Sequence, residues 1–411
     1  MTTDHNDPDS RSIVLHTAAH SLCFALWFLP SAIGVAMARE FAMSEIAFGV
    51  LVATPILVGS LARLPLGALA DRYDSRGMMA VVMVAGAAAA LGLSAAQSYT
   101  QALAASAAVG IAGGSFAVGV AFVANQFVDA RAWRALDWLG SGIAGGALAL
   151  IVAGTAHDWR LAAEFMALLL VTGAVVFVLL AAKTSHGNRN GSRNLLLQFA
   201  PLRKIQVLRF SLYYVFVFGG FVALIIWLPH YITQAYGADF NTAMLVAGAP
   251  ALAGGLGRIH GGRLVEDYGA RRVLYWTFLI VVAVTFILSY PATSYSVTTA
   301  GGDVVFRAEI GLIPFAVLVT LLALFLSFGQ AAVYAHIPVY YPTEAAAVGA
   351  AVGMVGGLGG FVLPVMFAFL VEATGIYQSA FMLLFALVAV ALLWMHLAIR
   401  RMERRAAAAI S

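Results

Sequence analysis

Charge is what this sequence has least of. Only 10% of its 411 residues are Asp, Glu, Lys or Arg, 62% are hydrophobic, and the mean hydropathy is +0.92. Soluble domains carry about 25% charged residues, so this composition excludes an ordinary soluble domain and implies an integral membrane protein. There is one cysteine, Cys23, inside an apolar segment. It excludes an intrachain disulfide and a cysteine-ligated metal. The opening residues, MTTDHNDPDSRS, are polar and lack a basic n-region, so a cleaved signal peptide is not expected and the first helix reads as an uncleaved anchor. No metal-ligand cluster, nucleophile–base pair or phosphate loop is visible; glycine-rich segments inside apolar helices do not qualify as phosphate loops. An enzyme is therefore not expected, nor a cofactor. The net charge of +4 is no nucleic-acid footprint.

What is present is a series of apolar runs long enough to cross a bilayer. They fall at about 14–38, 45–70, 77–97, 100–127, 133–156, 160–182, 208–235, 240–265, 272–291, 311–340, 346–371 and 377–399. The fold class is all-α and integral to the membrane, with about twelve transmembrane helices. Residues 1–182 form one six-helix bundle, 183–205 a polar linker, and 206–411 a second bundle with a basic tail. Of the 23 lysines and arginines, Arg39, Arg160 and Arg307 fall on one side of the predicted membrane. Apart from Arg63 and Arg258, the rest lie on the other side, in the linker or in the tail. That bias predicts that the linker and both termini are cytoplasmic. An outer loop at 292–310 has β-branched runs around Gly301-Gly302 that suggest a small hairpin.

One stretch occurs twice. ARLPLGALADRYDSRG at 62–77 and GRIHGGRLVEDYGARR at 257–272 align without a gap, pairing Arg63 with Arg258, Gly67 with Gly262, Asp71 with Glu266 and Arg76 with Arg271. Each arginine stands eight residues before its acid, roughly 12 Å further into an apolar helix. A charge at that depth is costly and marks a functional site. Two at equivalent positions imply one central anion site. No carboxylate is expected at the same depth. Asp137 and Glu164 lie within about two turns of helix ends, and Asp71, Glu266 and Asp267 at the cytoplasmic face.

The pattern at Gly67, Leu69, Asp71, Arg72 and Arg76 resembles the loop signature of the major facilitator superfamily. That resemblance implies two parallel halves with substrate bound between them near the midplane. It also implies a breakable charge lock made by Asp71, Arg72, Arg76, Glu266 and Arg271. GGSFAVG at 113–119, FGGFVALIIWLP at 218–229, AAVYAHIPVYYP at 331–342 and GGLGGFVLP at 356–364 look like the nitrate/nitrite porter family of that superfamily, over about residues 20–400. The resemblance implies an inner-membrane secondary transporter working as a monomer. Its substrates would be nitrate and also nitrite, gripped by Arg63 and Arg258. Tyr213, Tyr214, Trp27 and Phe28 are the implied aromatic partners. Gly114, Ser115, Gly356 and Gly357 are candidates for backbone approach to the anion. Guanidinium suits the role, since its paired N–H donors match trigonal oxygens and it stays charged when buried.

One segment and two single positions depart from the family pattern. Asn125-Gln126-Phe127-Val128 replaces a Trp-Phe-Pro-like ending of the fourth helix. Ile143 stands where an asparagine is usual, which bears on affinity and anion choice. Ala335 stands where close relatives would carry a lysine. Driving nitrate in against the membrane potential by proton symport would need at least two protons per anion. His336 and His260 are the candidate proton carriers, since histidine titrates near neutral pH. The glycine segments resemble the proton-coupled uptake branch. The alternatives are nitrate/nitrite antiport, a porter for another small anion such as a short carboxylate, and a non-transporting anion sensor.

Overall fold

Among the described residues, twelve helices are long and apolar enough to span a membrane. This computed structural model describes residues 8–70, 72–127, 129–156, 158–182, 201–341 and 345–408. Asp71, Val128 and residues 183–200 of the linker lie outside the described residues. The helices are α1 (Pro8–Glu40), α2 (Glu45–Ala70), α3 (Ser75–Ser94), α4 (Tyr99–Gln126), α5 (Arg131–Thr155) and α6 (Trp159–Leu180). They are followed by α7 (Ile205–Ala235), α8 (Phe240–Tyr268), α9 (Ala270–Leu288), α10 (Leu312–Tyr340), α11 (Ala345–Thr374) and α12 (Ser379–Ala408).

Short polar residues set several helix starts. Asp74, Ser98, Asp158 and Asp239 each accept a hydrogen bond from a backbone N–H of the first turn of α3, α4, α6 and α8. Asp239 also accepts from the Thr242 hydroxyl at 2.6 Å, and these bonds hold its carboxyl below the usual range. Gly269, at φ +83°, ends α8 and turns the chain directly into α9.

Burial sorts the helices into inner and outer ones. The apolar windows of α7 and α1 are 89% and 78% buried, those of α12 and α6 only 28% and 33%. The outer helices turn large apolar side chains outward, among them Leu179 and Leu397, as a lipid-facing surface requires. Between the first six helices and the last six, the main packing pairs are α2 with α11 and α5 with α8, with α1 beside α7.

The loop between α9 and α10 forms the expected hairpin. Strands β1 (Thr293–Thr299) and β2 (Gly302–Ala308) pair antiparallel from Thr293↔Ala308 to Thr299↔Gly302. Gly302 takes φ +112°, and Tyr295 stacks on its partner Phe306 at 5.3 Å. The hairpin marks one end of the helix bundle, called here the hairpin end; the loop α2–α3 and the start of α7 lie at the other, the linker end.

Candidate functional site

Three helices break their regular geometry close to the cavity between the halves. The glycines of α4 and α5 permit 3₁₀ turns at Gly110–Gly114 and Ser141–Ala144, and α7 makes a π-turn at Val215–Gly219. Such irregular turns cluster at functional sites because they free or re-aim backbone groups. Here the Val217 carbonyl accepts from Gln330 Nε2 at 3.1 Å, and Gln330 Oε1 in turn accepts from Arg258 Nη1 at 3.4 Å.

The cavity is lined by His20 and Phe24 of α1, Arg63 of α2, Phe116 of α4, Gly140 and Ile143 of α5, Tyr214 and Phe218 of α7, Arg258 of α8 and Gln330 of α10. Both arginines of the repeated stretch therefore face one space. They are 8% and 2% exposed. The space is about 10 Å³, scarcely that of one water. A trigonal anion enters only if the surrounding side chains give way.

The two guanidinium groups are held differently. Arg63 donates from Nη1 to the Gly353 carbonyl at 2.8 Å and from Nε to the Gly113 carbonyl at 3.5 Å. It also lies over the rings of Phe218, Trp27 and Phe116 at 5.1, 5.6 and 5.7 Å. Arg258 lies over Tyr334 at 5.4 Å and faces the Asp137 carboxylate, with Nε 3.4 Å from Oδ1. That approach is too poorly aligned for a hydrogen bond, so the buried Nε is left without an acceptor. Asp137 corrects the expectation of a site without a nearby carboxylate. Although close to the start of α5, it is carried inward against α8.

Several expected residues take other positions. Tyr214 lines the cavity and stacks on Phe218 at 5.1 Å, whereas Tyr213 turns to Phe278 of α9 at 5.8 Å. Trp27 supports Arg63, with its indole N–H given to the Pro55 carbonyl at 2.7 Å. Phe28 is buried but off the cavity wall, where Phe24 of the same helix face stands instead. Ser115 is bonded to His20 at 2.9 Å, and Gly114 lies against Leu66. Gly356 and Gly357 are contact glycines. A Cβ at 356 would strike the Tyr214 ring, and a Cβ at 357 would strike the Ser60 hydroxyl and lie 3.6 Å from Arg63 Nη1. Ile143 does line the cavity, so its departure from the family pattern falls on the site itself.

Neither proposed proton carrier reaches the cavity. His336 stacks on Phe210 at 5.7 Å, and His260 is exposed and bonded to the Leu256 carbonyl of its own helix at 2.8 Å. The residues that sequence reasoning missed are Phe24, Phe116, Phe218, Gly140, His20, Gln330 and Asp137.

Contacts between the halves flank the site on both sides. At the linker end Glu266 of α8 meets Arg134 of α5 at 3.3 Å, an exposed pair worth little by itself. Arg76 donates to the Ala181 carbonyl at 3.0 Å and lies 3.9 Å from Asp74, while Arg72 and Arg271 are exposed. At the hairpin end Glu45 of α2 meets His230 of α7 at 2.7 Å and accepts from the Tyr377 hydroxyl at 2.9 Å. Ser31 of α1 donates to the Ile226 carbonyl of α7 at 2.6 Å.

Residues 15–312 match the Major Facilitator Superfamily. A probable nitrate/nitrite antiporter, NarK1, of Thermus thermophilus is 37% identical, across 97% of this chain and 93% of that protein. A probable nitrate/nitrite transporter, NarK2, of Mycobacterium tuberculosis is 30% identical across 86% and 87%, and the nitrite extrusion protein of Bacillus subtilis 27% across 88% and 87%. Among solved structures, a bacterial homolog of the human lysosomal transporter Spinster, inward-facing and occupied, superposes with a TM-score of 0.70 at 14% identity, covering 95% of this chain and 97% of that one. Fold, repeated arginines and relatives agree: the chain belongs to the nitrate/nitrite porter family of the major facilitator superfamily.

Proposed function

We propose that the chain is a secondary transporter that carries nitrate and nitrite across the membrane by alternating access. The observation that carries this reading is the pair of buried arginines, one from each half, on a single cavity. A planar anion between Arg63 and Arg258 supplies the acceptors that two like charges need in order to approach. Tyr214, Phe218 and Phe24 form the apolar and aromatic walls. Gly353, Gly356 and Gly357 let α11 follow Arg63 and Tyr214 closely as the halves rock.

In this reading residues 1–182 and 206–411 are the two moving units, with the linker and both termini in the cytoplasm. Arg134 with Glu266 belongs to the inner gate, and Glu45, His230 and Tyr377 form the outer one.

Ile143 favours a second reading. Its apolar side chain occupies part of the wall, which suits a short carboxylate such as formate, with an apolar edge beside two oxygens.

The test is labelled-nitrate uptake by proteoliposomes loaded with nitrite, with empty vesicles as reference. Uptake above the protein-free level, suppressed by external nitrite, is the expected result. Folded protein that moves no nitrate under any gradient overturns the reading, and formate flux in its place selects the carboxylate alternative.

A further inference from the structure

Asp137 is the carboxylate, among the described residues, that touches an arginine of the cavity. Its surroundings are cleared for it. Gly262 of α8 faces it so closely that a Cβ there would strike Oδ2, and a Cβ at Gly140, one turn along α5, would come 2.9 Å from Arg258 Nε. The two glycines thus let the carboxylate and the guanidinium meet across the α5–α8 contact. Among the described residues Arg63 has no such partner; its hydrogen bonds there go to the carbonyls of Gly113 and Gly353.

The edge of Arg258 that faces Asp137 carries the Nε donor left without a hydrogen-bond acceptor. A nitrate oxygen that accepts from this open donor would lie beside the Asp137 carboxylate, whose Oδ1 is 3.4 Å from the same nitrogen. If both stayed charged, two anions would share one buried guanidinium, an arrangement that low-dielectric surroundings penalise heavily. Protonation of the carboxylate removes the conflict.

Other ionisable groups around this pair are already engaged or stand further off. Glu266 of α8 is the second acid nearby and is paired with Arg134 of α5. Tyr334 of α10 lies against the Arg258 guanidinium at 5.4 Å, and Tyr214 of α7 lines the cavity. On α1, His20 is bonded to Ser115 and His16 is stacked on Phe122 at 3.5 Å.

We infer that Asp137 is the proton-carrying group of transport: it holds Arg258 when no anion is bound and takes up one proton from solvent as nitrate displaces it. On release the nitrate leaves Arg258, the proton leaves Asp137, and the ion pair re-forms. One proton then travels with one nitrate. This rests on the nitrate reading of the cavity.

Titration calorimetry of the purified full chain with nitrate, in two buffers of different ionisation enthalpy between pH 6 and 8, tests it. The wild type is expected to take up about one proton per nitrate. Its affinity should then fall by up to about tenfold per pH unit above the titration of Asp137, because the bound state holds the extra proton. Asp137→Asn should bind nitrate with no proton uptake and a flat pH profile, at an affinity near that of the wild type at low pH. Nitrate binding by the wild type without proton uptake overturns the inference while leaving the substrate intact. So does wild-type uptake in Asp137→Asn, which would move the proton to His20. No nitrate binding at all fails the substrate reading and this inference with it. Should Asp137→Asn not fold, the nitrate-induced infrared difference spectrum of the wild type decides. The carbonyl stretch of a protonated carboxyl is expected, and its absence overturns the proposal.

Discussion

Arg63 and Arg258 are equivalent in sequence but not in surroundings. Arg63 is held by carbonyls and three aromatic rings, Arg258 by a glutamine, a tyrosine and an acid. Lysine fits neither setting, because a point charge on a flexible stem cannot span two acceptors held in a plane. Arg63→Lys and Arg258→Lys are each expected to lower nitrate uptake at least about tenfold, about 1.4 kcal/mol of lost binding or barrier, with folded protein recovered. Uptake near the wild-type rate in either variant would remove the two-arginine grip. These two residues were legible in the sequence because a charge in an apolar repeat has few innocent explanations. Tyr214 was legible only by resemblance, and its neighbour Tyr213 fell on another face because consecutive helical residues point about 100° apart. Asp137 was not legible as a site residue. Counting turns from the helix end placed it with the loop acids, and only the α5–α8 crossing brings it to Arg258.

At the scale of elements, the hairpin-end contact among α2, α7 and the α11–α12 turn is a second joint between the halves. Glu45 accepts from Tyr377 and meets His230, whose ring stacks on Phe48 at 4.2 Å. Burial and the neighbouring Glu45 push the Tyr377 phenol above its ordinary value, so it remains a donor at physiological pH. Hydrogen bonds to a charged group contribute about 1.5–3 kcal/mol each, enough to bias an opening equilibrium. Glu45→Ala should therefore expose the α1–α7 contact. With Cys23→Ala removing the native thiol and Ser31→Cys as reporter, thiol labelling is expected to accelerate about tenfold over the same protein with Glu45 intact. An unchanged rate would assign closure to the remaining contacts, such as Ile46 with Glu372. The helix count and the β-hairpin followed from apolar run length and β-branched residues flanking Gly301-Gly302. The π-turn of α7 did not, because Val215–Gly219 is as apolar as the helix around it and only its ladder differs.

For the whole molecule the question is how many charges cross per cycle. Nitrate alone moving against an interior-negative potential of about 100 mV meets a cost of ~2.3 kcal/mol, equivalent to roughly a fiftyfold concentration ratio. Proton symport that overcomes this by the potential itself needs two or more protons per nitrate, and so at least two carriers. The two histidines considered from the sequence lie away from the cavity, and Asp137 is the acid that faces Arg258. One proton per nitrate leaves no net charge to move, and neither does one-for-one exchange with nitrite. Both modes are therefore insensitive to voltage but respond to different gradients. In proteoliposomes with potassium and valinomycin setting about 100 mV, interior negative, the final nitrate ratio should match that at zero potential. It should instead follow the pH gradient about tenfold per unit when nitrite is absent, since each proton then counts once against each nitrate. A ratio that rises with interior-negative potential would require a second proton and a second carrier besides Asp137, for which His20 on the cavity wall is the candidate. A ratio that falls about fiftyfold would mean that nitrate crosses alone, and that the Asp137–Arg258 pair is only a structural contact between α5 and α8.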